Sequence, residues 1–553
     1  MRPLVVPLML VSWANAVLAD PLPVYLDSHE YERRLPSANL PLDAYRPVAP
    51  PLQLAVAAGE PASMPMADRL VLHKVRFEGG TVYPLSELRE HYQPLIGQPI
   101  TVDELQRFTD RLTQRYRDDG FPLSFAYLRQ QDLADGRAHV VLVEGYIRDV
   151  QIVGDIGPAA AYFAQLAERL KTERPLTDAT LQRTLGLMQR VPGITVQAEV
   201  IPEEGTEGAA RLTLRASRQP FAAAVTVNDG SRDDLQALFT VSSNAQTRLA
   251  EQLTARFLLP PGDDQAHYQR LDYSQYLDAQ GSQLLLSAAR YRSEPGTRVR
   301  LDNGTDLSQR IESERYALGF AQPLIVGANE WMNVTGRFYS VSEHIDERRG
   351  GEREYDTYVR ALSFEGDWRQ AEPRRLRMVS AGVYQGLDYL GARSDADYDL
   401  DFLRFRLAGL QGDTLLENWQ GVVSGALYWS DERLPESERA VFGGQHFGRG
   451  YPRDQAAGDK GWGVAYELNY SIRPRTGWPP VLQPYALLDA AKAWYNGGPF
   501  EDANMSSVAM GVRLSDGRAG SVALEVAKPL ADVALDSMNR APRVMFSVTY
   551  QMQ

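Results

Sequence analysis

The C-terminal part of the chain repeats one pattern. Val544, Phe546, Val548 and Tyr550 alternate with Arg543, Met545, Ser547 and Thr549. Val522, Leu524 and Val526 alternate with Ala523, Glu525 and Ala527, and Val508, Met510, Val512 and Leu514 with Ala509, Gly511, Arg513 and Ser515. The same holds from Val464 to Arg473 and from Leu403 to Leu407. A period of two sends successive side chains to opposite faces of a strand, so one face meets an apolar medium and the other meets water or polar groups. Two architectures satisfy this pattern: a soluble sandwich or barrel, and a barrel that spans a membrane. Length separates them. The segments run to about ten residues, the length of a tilted membrane strand, whereas soluble strands average nearer five or six. Mid-strand Arg513, Glu525, Arg473 and Glu467 suit a hydrated lumen, and Trp331, Trp368, Trp429, Trp462, Trp494 and Tyr550 near strand ends suit interfacial girdles. From Phe221 to Gln551 about sixteen such segments follow one another, an even number as single-chain barrels require. The pattern predicts a transmembrane β-barrel over residues 220–553.

Composition agrees once the alternation is known. Mean hydropathy is −0.34, and no internal stretch reaches the ~18 apolar residues of a membrane helix. A barrel hides from such averages because only alternate side chains face lipid. Lys+Arg is 58 and Asp+Glu is 71, a net charge of −13, which argues against a nucleic-acid partner. The chain has no cysteine, so thiol catalysis, Cys-ligated zinc and disulfides are excluded. Its seven histidines are scattered, without His-x-x-x-His or His-Glu-x-x-His spacing, and no Gly-x-Ser-x-Gly elbow occurs. No catalytic residue, metal site or cofactor is expected. Glu203-Glu204 and Asp263-Asp264 read as solvated turns, Arg374-Arg375-Leu376-Arg377 as a polar strand end, and His446 as a packing or solvent-facing residue.

Three zones precede the barrel. Met1-Arg2, an apolar run from Leu4 to Leu18 and small residues before Asp20 read as a secretory signal peptide over 1–19; the alternative is a buried N-terminal element. Residues 20–68 are rich in proline and alanine and read as a linker, with room for one short helix near Leu26–Leu35. Residues 69–145 and 146–218 read as two copies of an α+β unit: strand, two helices, two strands. In the first, Leu70–Phe77 is a strand and Pro84–Tyr92 a helix. Thr101-Val-Asp-Glu104 is a capping box that opens a helix with Leu105, Phe108 and Leu112 on one face. Leu123–Arg129 and Arg137–Glu144 form a hairpin around Asp135-Gly136. In the second, Ile147–Val153, Ala159–Leu170, Thr177–Val191, Ile194–Ile201 and Ala210–Ala216 follow in the same order. Two purely structural domains would leave the same pattern.

The longest connection between barrel strands is Asp431–Gly461, too long for a simple turn. It contains Phe442-Gly-Gly-Gln-His-Phe-Gly-Arg-Gly-Tyr451, whose four glycines allow a folded-back loop with one arginine and one tyrosine at its tip. On these features the mature chain resembles the outer-membrane transporters of two-partner secretion, the TpsB family. The resemblance implies a signal peptide, a linker with a plug helix, two POTRA domains and a sixteen-stranded antiparallel barrel whose sixth outer loop enters the lumen. That loop bears a Val-Arg-Gly-Tyr/Phe tip in the family; here it reads Gly448-Arg449-Gly450-Tyr451. The implied wall partner of Arg449 is Asp489, on the thirteenth strand Tyr485-Ala-Leu-Leu-Asp489, with Glu467 beside it. The arginine could equally pack the loop against the wall without a further role.

The same resemblance implies the function. The POTRA domains sit in the periplasm and capture an unfolded exoprotein of the TpsA type by adding its strand to an exposed sheet edge. Leu123, Phe125 and Tyr127 mark one candidate edge, and Val196 and Val200 the other. The passenger then crosses the Gram-negative outer membrane through the lumen as the loop and plug yield, and its folding outside supplies the drive. Outer-membrane lipid is a further implied partner, as are periplasmic chaperones and the barrel-assembly machinery during biogenesis. Two other readings stay open. One is a barrel-assembly factor of the same superfamily, whose members generally carry more POTRA units. The other is a solute porin, which has no use for residues 70–218.

Overall fold

The computed structural model describes residues 35, 37, 39–40, 53–54, 70–129, 135–203, 208–229, 235–259, 266–293, 299–300, 306–349, 352–445, 447–453, 455–474, 481–497, 502–516 and 520–552. The signal-peptide segment, the helix near Leu26–Leu35 apart from Leu35 itself, most of the 20–68 linker, Glu204, Asp263-Asp264 and His446 lie outside them. The chain divides into two compact units. One is built on Ala49–Arg218 with Val326–Ala328, the other on the rest of the barrel and the N-terminal residues.

The α+β unit contains the duplicated order. Its first half runs Lys74–Glu78 (β1), Leu85–Tyr92 (α1), Val102–Asp118 (α2), Phe125–Leu128 (β2) and Arg137–Val143 (β3). β3 pairs in parallel with β1 and antiparallel with β2, so β2 lies at the edge of its sheet. The strand expected over Leu70–Phe77 is broken: Leu70–Val71 pairs with Pro99–Ile100, and only Lys74–Glu78 joins the sheet. The capping box forms as the spacing predicts. Glu104 N donates to the Thr101 hydroxyl and Thr101 N donates to the Glu104 carboxylate. Leu105, Phe108, Leu112 and Tyr116 line one face of α2 and are buried with Ala126, Leu128, Val140 and Leu142. Each such leucine contributes about 1.5–3 kcal/mol by leaving water.

The second half runs Tyr146–Val153 (β4), Ala160–Thr172 (α3), Asp178–Gln189 (α4), Ile194–Pro202 (β5) and Ala209–Arg218 (β6). Its sheet has the order Gln53–Leu54, β5, β6, β4. Three expectations about capture edges need correction here. Leu123 lies in a turn before β2, because strand pairing begins only at Phe125. Val196 and Val200 are 3% and 0% exposed; the same alternation that made them strand residues turns them into the core. The outer edge of β5 is also partly taken, since Gln53 and Leu54 pair in parallel with Glu199 and Val200.

The barrel runs, in chain order, through Phe221–Asp229 (β7), Leu235–Asn244 (β8), Gln252–Leu259 (β9), His267–Tyr276 (β10), Gln283–Ser293 (β11), Asp306–Val326 (β12), Glu330–Arg349 (β13) and Glu352–Glu372 (β14). It continues through Arg375–Gly386 (β15), Leu403–Leu416 (β16), Trp419–Ser430 (β17), Lys460–Tyr470 (β18), Val481–Trp494 (β19), Ala503–Ser515 (β20), Gly520–Pro529 (β21) and Arg543–Met552 (β22). These sixteen strands close on themselves, with two-residue additions at Val299–Arg300 and Arg393–Ser394. β7 meets β22 antiparallel from Ala223 opposite Met552 to Asn228 opposite Ser547.

The alternation sorts as the sequence predicts. Leu524, Val526, Met510, Val544 and Tyr550 are exposed on the outside, while Ala523, Glu525, Ala527, Arg513 and Ser547 are buried on the inside. Arg473 departs from the expectation: β18 ends at Tyr470, and Arg473 lies exposed beyond it. Strand length departs too. β12, β13 and β14 span 21, 20 and 21 residues, about twice a membrane crossing. Their outer halves carry charge on the face that a membrane strand keeps apolar, as where His344 Nδ1 meets Asp356 Oδ1 across the pair at 2.8 Å. The alternation used to count strands is therefore absent there. No helix among the described residues is long and apolar enough to cross a membrane.

Candidate functional site: the loop inside the barrel

The loop from Asp431 to Asp459 follows β17, the eleventh barrel strand, and precedes β18. It makes a small hairpin, Ala440–Phe442 against Ala456–Gly458, which carries the tip into the lumen. The tip is a tight turn in which Tyr451 N donates to Gly448 O at 2.9 Å and Gly443 N to Phe447 O at 2.9 Å. Gly443 and Gly448 have φ of 118° and 89°, values that side-chain-bearing residues resist. Phe442, Phe447 and Tyr451 are buried with wall residues Tyr428, Ala465, Leu487 and Met505. The wall makes room for two of these rings with glycine. A Cβ on Gly461 would stand 2.4 Å from the Phe442 ring, and one on Gly463 would stand 2.5 Å from Phe447.

The Arg449-Gly450-Tyr451 tip is held residue by residue. Arg449 N donates to Asp489 Oδ2 at 2.9 Å, and Gly450 N to Ser507 Oγ at 2.9 Å. A Cβ on Gly450 would meet the Pro529 backbone nitrogen at 2.5 Å, so only glycine lets the tip lie this close to β21. Tyr451 is fully buried, and its hydroxyl accepts from Ala531 N at 3.2 Å. The Arg449 guanidinium ion-pairs with Glu525 and lies 4.0 Å from Glu467. Arg513 binds Glu467 through both carboxylate oxygens, at 2.7 and 2.8 Å, and stacks on the Tyr485 ring at 3.8 Å. The Tyr485 hydroxyl in turn donates to Glu525 at 2.6 Å.

Asp489 and Glu467 thus both belong to the cradle, but their roles differ from the expectation. Asp489 holds the backbone of the tip, and the side chain of Arg449 goes to Glu525. The reason is height along the strands. Asp489 pairs with Ser507 and Ala465 across β20 and β18, whereas Glu525 sits at the Gly511 level of β20, nearer the guanidinium. Glu525 and Arg513 were visible in the sequence as inward mid-strand charges; Tyr485 and Ser507 carried no such mark. The pair is also drier than a hydrated lumen suggests. The Arg449 and Glu525 side chains are 14% and 4% exposed, in the regime where removing one partner costs about 3–5 kcal/mol rather than under 1.

Two further contacts fix the lumen's contents. Arg453 donates to Gln236 Oε1 at 2.7 Å and to Asn228 Oδ1 at 3.0 Å, on β8 and β7. Leu35 is buried among Leu258, Ala266, Tyr268 and Tyr291, and Asn39 bridges Tyr485 at 2.9 Å and Arg513 at 2.7 Å. Leu35 and Asn39 therefore both meet the barrel wall, Asn39 at the cradle.

A closed barrel of sixteen strands with a POTRA domain ahead of it and a loop folded into its lumen defines an outer-membrane transporter of the POTRA-barrel class. Residues 70–145 match the model of the POTRA domain, ShlB-type, and residues 359–514 match that of the haemolysin secretion/activation protein ShlB/FhaC/HecB. These two matches, over separate parts of the chain, support a transporter of the two-partner secretion type; the transporters of that family work with secreted TpsA exoproteins. Among solved structures, CdiB from Escherichia coli is 19% identical over 91% of this chain and 93% of its own, with a TM-score of 0.68. CdiB from Acinetobacter baumannii is 16% identical over 88% and 91%, with a TM-score of 0.59. BamA from Haemophilus ducreyi lacking POTRA domains 1–3 shares the fold at 13% identity and a TM-score of 0.51, over 88% of this chain and 100% of its own. No curated protein matches the chain.

Proposed function

We propose that this protein captures an unfolded exoprotein in the periplasm and passes it outward through its lumen when the tip of the 431–459 loop leaves its cradle. The observation that carries this is the tip itself: Arg449 ion-pairs with Glu525 on β21 while Asp489 and Ser507, on the neighbouring strands β19 and β20, hold the tip's backbone inside the lumen. A loop spent only on stabilising the wall has no need of a buried charge in the path. Residues 146–218 act as a second POTRA domain, on the strength of their strand, two-helix, two-strand order. The α+β unit is periplasmic, the barrel is surrounded by outer-membrane lipid, and chaperones and the assembly machinery deliver it. The N-terminal stretch at Leu35–Asn39 acts as part of a plug. The six-pair closure of β7 on β22 supports passage through the lumen over sideways release, which an assembly factor needs.

The test is Arg449→Ala. Secretion of the partner should fall at least tenfold while the barrel stays membrane-inserted and heat-modifiable on gels. Secretion at the normal rate would remove the gating role of the loop.

A further inference from the structure

The loop is attached to the wall a second time, near its root. Glu438 is fully buried, and its carboxylate Oε2 lies 3.0 Å from Arg404 Nη2 and 3.0 Å from the Tyr339 hydroxyl, which donates to it. Arg404 Nη1 also donates to the backbone carbonyl of Glu438 at 3.0 Å. Arg404 is 1% exposed and stacks over the Tyr384 ring at 4.0 Å; Arg315 stacks over Tyr339 at 4.1 Å. Leu434, four residues earlier in the loop, is fully buried in an apolar cluster with Tyr339, Val341, Val359, Ala361, Tyr384 and Phe402. Leu434 N donates to Asp459 Oδ1 at 2.9 Å, which ties the two ends of the loop together.

The root and the tip differ in wetness. The Glu438 and Arg404 side chains are 0% and 1% exposed, against 4% and 14% for Glu525 and Arg449 at the tip. Both pairs are buried enough to be costly to break, but at the root neither freed charge has any contact with water, while at the tip water already reaches Arg449 and offsets part of the cost. The tip should therefore separate before the root. The root also clasps side chain and backbone of one residue from one arginine, a geometry that fixes a pivot.

We propose that Glu438 is a positioning residue, the hinge anchor of the loop: held by Arg404 and Tyr339, it keeps residues 434–440 on the wall while the tip swings out. The loop then opens as a hinged flap, and closure after each passage needs no search. This rests on the reading that the tip yields, but its test needs no passenger, so the two can fail separately.

The test uses the full chain in liposomes and exploits the absence of native cysteine. One cysteine is introduced either in the root, Ser437→Cys, or near the tip, Gln445→Cys, and its reaction with a water-soluble maleimide is timed. Adding Arg449→Ala should speed labelling at 445 at least tenfold and leave 437 protected. Adding Glu438→Gln to that pair of changes should speed labelling at 437 at least tenfold as well. Tyr339→Phe, which removes only a hydroxyl and threatens folding least, should give a smaller rise at 437 of the same sign. Heat-modifiable migration checks that each barrel is folded. If 437 reacts as fast with Arg449→Ala alone as with both changes, there is no hinge. If neither Glu438→Gln nor Tyr339→Phe alters labelling at 437, the anchor is not this pair.

Discussion

The two halves of the α+β unit share one element order and differ at one edge. In the first, β2 is the outer strand of its sheet, and no described strand pairs with its far side. In the second, the equivalent strand β5 is met at Glu199 and Val200 by Gln53–Leu54, a piece of the chain's own N-terminal region. The side chains differ in the same sense. On β2, Phe125 and Tyr127 stand half-exposed with rings 6.1 Å apart, opposite the core residues Ala126 and Leu128. On β5 Val196, Ala198 and Val200 face inward, while Gln197 and, near the strand's end, Ile201 are exposed. An edge becomes a binding site by being left open, and that depends on the rest of the chain as much as on the repeat.

Three experiments sharpen or break this contrast. Deleting residues 70–145 should have the largest effect and abolish binding of the passenger's N-terminal region to the transporter; unchanged affinity would show that β5 or the barrel does the capturing. Replacing Tyr127 by lysine puts a charge on the open edge, a device that discourages strand addition. It should weaken capture about tenfold, or about 1.4 kcal/mol, measured by titration of the full-length protein, with no change in its melting temperature. The double change Gln53→Pro and Leu54→Pro removes two backbone donors from the strand that covers β5. If that strand competes with passenger, affinity should rise about twofold to threefold, under 1 kcal/mol. A fall would mean that residues 53–54 take part in capture.

The barrel was legible because its physics is periodic. One side of every membrane strand must be apolar, so Leu524, Val526 and their like announced both strand and orientation. The loop was legible through glycine and length. What the sequence did not carry was height: alternation tells whether a residue points inward, and says nothing of how far along the barrel it sits. That depends on the stagger between neighbouring strands. Hence Glu467, Glu525 and Arg513 were readable as lumen residues, but the choice of Glu525 over Asp489 as the arginine's partner was not. The outer halves of β12–β14 were unreadable for the opposite reason. Outside the membrane nothing demands an apolar face, and cross-strand charge pairs replace the pattern. Glu438 reads as one more acid in a polar loop; its partner Arg404 pairs with Ser430 at the loop's start, but its other partner Tyr339 lies on β13, a strand distant in sequence. At the β5 edge, the covering residues sit in a proline-rich linker with no strand signal of its own.

The join between β7 and β22 has a kinetic meaning. It spans six residue pairs, against nine between β7 and β8 and eight between β21 and β22. Every other seam joins strands that are neighbours in sequence and can form as a hairpin. This one pairs Asn228 with Ser547 and has to wait for everything between them, since contacts of long sequence separation form late. This seam is therefore the last to be made, and closing it sets the clock for assembling the barrel.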